Sequence, residues 1–250
     1  MTNVRKDKRP DPKPRKNPIL WQSYLIWDEW VQIRMRHTLR ISSIDAGKSN
    51  MDAHTEIQYL ADIQADAFVK SSRKNMISAG KSLGKVWDWV TSIRGLRDGG
   101  LAAQLLAQID DIGKFDTISK LWRFAGKAVI DGKAEHNCPG VKSHFNGRLK
   151  TILYLISKSF ITQQTPLYVD IYYAEKERLR NLYPEKIKNG DGKWKYNDGH
   201  LDYMAMRKME KIFLSHLWVK WREYDGLPIS MPYVHIILGH TNYIEPAMVE

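Results

Sequence analysis

Apolar residues recur every three or four positions through most of this sequence, and that spacing restricts the chain to helices. Segment 20–41 shows it best, because one helix side would carry six apolar side chains: Leu20, Tyr24, Trp27, Val31, Met35 and Leu39. Segments 51–79, 101–109, 148–164 and 200–224 are also predicted helices. Only KNGDGKWKYNDG, residues 188–199, is typical of a strand pair. We therefore predict an all-α fold with at most one small β-hairpin.

Charge and turn signals divide the chain into four regions. Residues 1–18 carry seven Lys/Arg against two Asp and are rich in Pro, which predicts a disordered basic arm. Region 19–90 should form a long helical hairpin or coiled coil, an element that often makes dimers. Region 91–165 contains the motifs discussed below, and region 166–250 is predicted to be a further helical region. We accordingly expect a homodimer.

The charge balance favours a polyanionic partner. The 39 Lys and Arg exceed the 28 Asp and Glu, for a formal net charge of +11. The basic arm fits either a solubilising tail or a nucleic-acid-binding arm. The single Cys138 argues against a disulfide framework and fits a reducing, cytoplasmic setting. No apolar run approaches a membrane span and no signal peptide is evident, so we expect no membrane association.

A glycine-rich stretch, SIRGLRDGGLAAQLLAQI at residues 92–109, precedes a strong helix-forming run. Gly95, Gly99 and Gly100 would place backbone N–H groups at a helix N-terminus, which attracts anions such as phosphate. Arg94 and Arg97 lie within the same stretch. The glycines would serve equally as a simple turn between two helices.

Two Gly-Lys-Ser sequences do not fit a nucleotide-binding loop. AGKSN at 46–50 and AGKSLGK at 79–85 lack the required glycine five residues before Gly-Lys, where Ser42 and Asn75 stand. A nucleotide hydrolase is therefore not predicted.

Other chemically active side chains have ordinary explanations, so we predict no metal site. His136, Cys138 and His144 lack the paired spacing of structural zinc ligands. Ser143, between Lys142 and His144, is a candidate nucleophile, although a serine beside a lysine and a histidine is commonplace. The remaining candidates are interpreted as helix-end, capping or terminal residues: Asp110, Asp111, Asp116, His235 and His240.

Aromatic and basic residues alternate around the glycine stretch. Trp87 and Trp89 precede it and Trp122 follows it, while Lys142, Arg148 and Lys150 lie further along. In nucleic-acid-binding proteins, such aromatics stack on bases and such cations hold the backbone. Each Trp fits equally well in the protein core.

These segments together resemble a known family. IRGLRDGGLAAQLLAQIDDIGKFDTISKLWRFAGKAV at 93–129 and GVKSHFNGRLKTILYLISKSF at 140–160 resemble the serine-bearing domain of bridge-RNA-guided insertion-sequence transposases. About 70 residues carry the resemblance, in the glycine hairpin, LLAQIDDIGKF, LWRFAG and KSHFNGRLK. Two features of those transposases are missing: the DEDD nuclease domain, and the Ser-Gly expected before KSHFNGRLK, where HNCPG stands.

A chain with this domain, long helices before it and no nuclease resembles the Tas proteins of TIGR-Tas systems. That family shares the domain with the Nop domain of box C/D ribonucleoproteins and uses a guide RNA to find DNA. The resemblance implies a cytoplasmic, bacterial or phage-encoded dimer with RNA and DNA as partners. It implies no cofactor apart from the guide RNA, and no small-molecule substrate.

The functional prediction is a guide-RNA-binding protein without catalytic activity. Arg94, Arg97, Lys142, Arg148 and Lys150 would neutralise phosphates, and the three Trp residues would stack on bases or support the loop. One alternative is a minimal recombinase that uses Ser143 or another loop serine as nucleophile, requires Mg²⁺ and takes its missing acidic domain from a partner. The other is a purely architectural DNA-binding dimer.

Overall fold

A computed structural model of the protein describes residues 14–48, 54–130, 133–134, 140, 143–188 and 194–229. This part of the chain contains eight α-helices, so the all-α prediction is confirmed. They are α1 (Pro18–Asp45), α2 (His54–Lys81), α3 (Lys85–Ser92), α4 (Gly100–Ile109), α5 (Ile118–Phe124), α6 (Gly147–Thr162), α7 (Tyr168–Leu182) and α8 (Asp198–Tyr224).

Two short antiparallel strand pairs accompany the helices. Strands β3 (Ile187–Lys188) and β4 (Trp194–Lys195) form the hairpin that the sequence predicted. Strands β1 (Val129–Ile130) and β2 (Lys133–Ala134) form a second pair, one more than the sequence predicted. The β-branched Val and Ile favour the extended backbone there, over a length too short to give a readable alternation.

Helices α1 and α2 form the predicted antiparallel hairpin. Trp30 of α1 stacks on Phe68 of α2 with ring centroids 4.3 Å apart, and Arg34 pairs with Asp66 at 3.0 Å. Only the first turns of α1 reach the core. The C-terminal part of the predicted apolar stripe is therefore exposed to solvent, and Leu39 is 67% exposed.

One hydrophobic core joins all the helical regions, since its buried members run from Leu20 to Trp221. Helix α4 is almost wholly buried, because its small Ala side chains allow neighbouring helices to approach closely. Helices α2 and α6 pack against it. Helices α6 and α8 both begin with an Asn cap. Asn146 accepts from the Leu149 N–H at 3.0 Å, and Asn197 accepts from the His200 N–H at 2.8 Å.

The sequence offers Asp116 as the cap of α5 and Thr165, before Pro166, as the cap of α7, and both of these predictions are wrong. Thr117, and not Asp116, precedes α5, and Asp116 pairs instead with Lys120. Thr165 does not open α7; its hydroxyl donates to the Arg94 carbonyl at 2.7 Å, which ties the glycine stretch to the end of α6. Each side chain bonds to another group, the Lys120 ammonium or the Arg94 carbonyl, instead of the backbone N–H groups at the start of the helix.

The last residues of the predicted basic arm are attached to the core, while residues 1–13 lie outside the described part. Lys16 pairs with Asp225 at 2.8 Å, and the Asn17 N–H donates to the Asp110 carboxylate at 3.1 Å. Asp110 is 1% exposed and has a φ of +66°, a conformation uncommon outside glycine. Burial raises the pKa of Asp110, but hydrogen bonds from Lys114 and Asn17 outweigh it and leave that pKa below its ordinary value.

No helix in the described ranges is long and apolar enough to cross a membrane.

Candidate nucleic-acid interface

The glycine stretch already holds an anion of its own. Gly99, at a φ of +76°, precedes α4, and the Gly100 N–H donates to the Asp98 carboxylate at 3.0 Å. Arg73 from α2 pairs with the same carboxylate at 2.7 Å. A phosphate at this helix N-terminus would have to displace Asp98. The geometry therefore fits the turn interpretation of these glycines better than the phosphate interpretation.

Two of the three predicted Trp residues belong to the core. Trp87 lies against Gly80 and Gly99, where an added Cβ would meet its ring, and Trp89 is only 2% exposed. Neither ring presents a face on which a base could stack. Trp87 has the other role predicted for it, which is support of the glycine loop.

The two arginines of the glycine stretch have exposed side chains near the C-terminal end of α6. The Gly95 carbonyl accepts from the Ser159 hydroxyl at 2.7 Å, and this bond fixes the position of the loop. The backbone carbonyl of Arg94 is held by Thr165 as described above, and the Arg97 side chain contacts the Ser92 carbonyl at 3.4 Å. Both guanidinium groups are therefore accessible to a phosphate.

Arg148 and Lys150 do not act together. They are two positions apart on α6, which turns them about 200° from each other. Arg148 faces α1, where it pairs with Asp28 and lies 3.3 Å from the Tyr24 hydroxyl; the bond to Asp28 raises the pKa of Arg148. Lys150 faces the other way, with its Nζ 4.5 Å from the centre of the Phe145 ring. Lys142 lies outside the described residues.

Ser143 makes only local contacts. Its hydroxyl donates to the Phe145 carbonyl at 3.1 Å and accepts from the Phe145 N–H at 3.3 Å. These are the bonds of a side chain that stabilises a turn, and neither supplies a general base.

A cleft between α6 and α8 combines cationic and aromatic side chains, and we call it the cation–aromatic cleft. It has a volume of about 370 Å³. Its lining consists of Lys127, Ala134, Lys150, Tyr154, His200, Tyr203, Met204, Met206, Arg207 and Glu210.

Stripes with a step of four residues run along both helices that form its walls. On α6, Lys150 and Tyr154 line the cleft, and Lys158 lies one turn beyond its lining. On α8, Tyr203 and Arg207 line the cleft, and Lys211 lies one turn beyond its lining. Residues four apart lie on one side of a helix, so each stripe alternates charge and ring along a single edge.

The aromatic part of the cleft is a stacked pair. The rings of Tyr154 and Tyr203 lie 6.0 Å apart with an interplanar angle of 28°. Lys158 lies over Tyr154, with its Nζ 5.7 Å from the ring centre. Tyr203 is 59% exposed, so its ring is available for a further stacking partner.

The floor of the cleft is a buried ion pair. Lys127 is hydrogen-bonded to Glu210, and their side chains are 6% and 5% exposed. The Ser157 hydroxyl lies 3.0 Å from the other Glu210 oxygen. Burial lowers the pKa of Lys127, and the attraction of Glu210 opposes that shift. The carboxylate is thus neutralised within the protein.

The other Lys and Arg residues that line the cleft are Lys150 and Arg207. Arg207 is oriented by a hydrogen bond of 2.6 Å to the Ala128 carbonyl. Lys211, one turn further along α8, lies over Trp122 at 4.1 Å from the ring centre, and the Trp122 Nε1–H donates to the Lys211 carbonyl at 3.1 Å. Burial lowers the pKa of Lys211, and the nearby Arg207 charge lowers it further. Adding an anion here would relieve this repulsion.

Of the predicted binding residues, Lys150 lines this cleft, whereas Trp122 lies outside its lining and contacts Lys211. The sequence analysis missed Lys127, Tyr154, Tyr203 and Arg207. The four-residue steps of both stripes could have revealed two basic, aromatic helix edges. Nothing in the sequence shows that these edges face each other.

Comparisons with protein-family models, curated proteins and solved structures found no match to this chain. Among the described residues, no group of three or more His, Cys, Asp or Glu side chains is placed to hold a metal ion.

Proposed function

We propose that the protein binds a guide RNA, directs the recognition of DNA and has no catalytic activity of its own. The cation–aromatic cleft carries the nucleic-acid part of this proposal. It offers positive charge for phosphates and an exposed ring for a base, in a chain with a net charge of +11. The resemblance to the Tas proteins supplies the RNA guide and the DNA target.

The α1–α2 hairpin supports the dimeric state that we propose with this function. Met35 and Leu39 of α1 and Ile63 of α2 are at least half exposed, so the hairpin leaves apolar surface uncovered. The recombinase alternative has less support, because Ser143 is engaged in a local turn.

The test is to purify the full chain from cells, extract its nucleic acid and sequence it. Discrete short RNAs are expected. The dissociation constant for such an RNA should then rise with salt, with a log–log slope of roughly 0.7 for each phosphate neutralised on a single strand. A flat salt response together with no discrete RNA would refute the proposal. Bound DNA fragments without RNA would favour the architectural alternative.

A further inference from the structure

We infer that the cation–aromatic cleft binds one unpaired nucleotide of an RNA strand, with the base stacked on Tyr203 and an adjacent phosphate held by Arg207. This inference rests on the proposed function, which supplies RNA as the strand.

The size of the cleft favours a single nucleotide over a duplex. A volume of about 370 Å³ lies near the lower end for sites that enclose a small molecule. Double-stranded RNA is recognised across its broad minor groove and its backbone, so it suits an extended surface. A concave site admits only a base that has left the helical stack.

The aromatic wall is built for stacking. Tyr203 presents its ring to solvent while Tyr154 supports it from behind at 6.0 Å. The supporting ring limits the motion of Tyr203, so less side-chain entropy is lost when a base binds. Every base has a π face, so such a platform accepts any of the four bases.

Arg207 is placed for a phosphate adjacent to that base, one helical turn from Tyr203 on the same side of α8. The hydrogen bond to Ala128 fixes the Arg207 guanidinium, and its planar fork matches a phosphate. Lys127 cancels the charge of Glu210, so the floor does not repel a phosphate.

The experiment compares oligouridine of about 12 nucleotides with a blunt RNA duplex of the same length, by fluorescence anisotropy on the full chain. Tyr203→Ala should weaken single-strand binding by roughly 5- to 150-fold and leave duplex binding unchanged. Tyr203→Phe keeps the ring and should bind as the wild type does. Tyr173→Ala is the matched control, because Tyr173 is another exposed tyrosine, 48% exposed, on α7.

A second variant tests the phosphate contact. Arg207→Met should lower the salt slope for oligouridine by roughly 0.7. A urea unfolding curve of the variant checks that loss of the Ala128 hydrogen bond has not unfolded the chain. An unchanged slope in a folded Arg207→Met protein would remove Arg207 from the site.

The outcomes separate this inference from the proposed function. If the wild type binds oligouridine with a steep salt slope and Tyr203→Ala binds equally well, the RNA function stands and the cleft is not the nucleotide site. A duplex that binds as tightly as the single strand would also overturn the inference. If the wild type binds neither RNA at low salt, both the inference and the proposed function fail.

Discussion

The buried pair Lys127–Glu210 gives the most direct test of the packing described above. The substitution Lys127→Met keeps most of the side-chain volume and removes the charge. Glu210 would then be a buried carboxylate that keeps, among the residues that the structure describes, the Ser157 hydroxyl as its hydrogen-bond partner. Removing one member of a buried ion pair typically costs about 3–5 kcal/mol, because the other charge stays desolvated. For a chain of this size that corresponds to a fall in Tm of roughly 10 °C.

Two further measurements test whether this loss of stability comes from the unpaired charge of Glu210. In Lys127→Met, lowering the pH from 8 towards 5 should restore part of the stability, because a buried carboxylate without a cation takes up a proton. The double variant Lys127→Met/Glu210→Leu should recover most of the loss, since a buried ion pair replaced by apolar residues of similar size is often neutral. Lys120→Met is the control, because its partner Asp116 is exposed.

Urea unfolding followed by circular dichroism measures these differences in the free energy of unfolding. The Lys120→Met curve should overlie the wild-type curve. A loss below about 1 kcal/mol for Lys127→Met, or a double variant no more stable than the single one, would show that water reaches the pair and that the reasoning is wrong.

The glycine stretch, the acid limb of stability and the chemistry give three further predictions. Gly99→Ala should lower the free energy of unfolding in urea by roughly 1–3 kcal/mol, because φ is +76° and the new methyl group would crowd the Trp87 ring. In Gly100→Ala the new methyl group meets mainly the movable side chain of Arg73, so this variant should unfold nearly as the wild type does. If folded Gly100→Ala nevertheless binds RNA more weakly, the loop contacts a phosphate. The pKa of Asp110 is lowered in the folded state, so its interactions stabilise the fold at neutral pH and are lost as the pH falls below about 4. Asp110→Asn should therefore flatten the dependence of the free energy of unfolding on pH in that range. An unchanged pH dependence would contradict this prediction. The RNA-loaded protein with Mg²⁺ should neither cut nor join DNA, and strand exchange that disappears in Ser143→Ala would establish the recombinase alternative.

The end of the N-terminal segment differs from its prediction because its contacts are with residues that are distant in sequence. Its Pro and Lys/Arg content predicted disorder up to residue 18, and composition describes only what a segment can do alone. Lys16 and Asn17 are ordered because Asp225 and Asp110 lie within reach. Asp225 is 209 positions from Lys16 and Asp110 is 93 positions from Asn17, so no window of local composition could have shown them.

The sequence by itself determined the helices and their approximate ends, because periodicity, caps and glycine stops act within a few residues. The all-α class, the α1–α2 hairpin and the β3–β4 pair were readable in this way. The tertiary structure alone decided what each helix face meets. It buried Trp87 and Trp89, turned Arg148 towards α1 and Lys150 towards α8, and set the Tyr154 and Tyr203 rings together across 49 positions of sequence. Side chains that are equally basic or aromatic in the sequence differ only in their neighbours, and those neighbours are fixed by burial of one shared core.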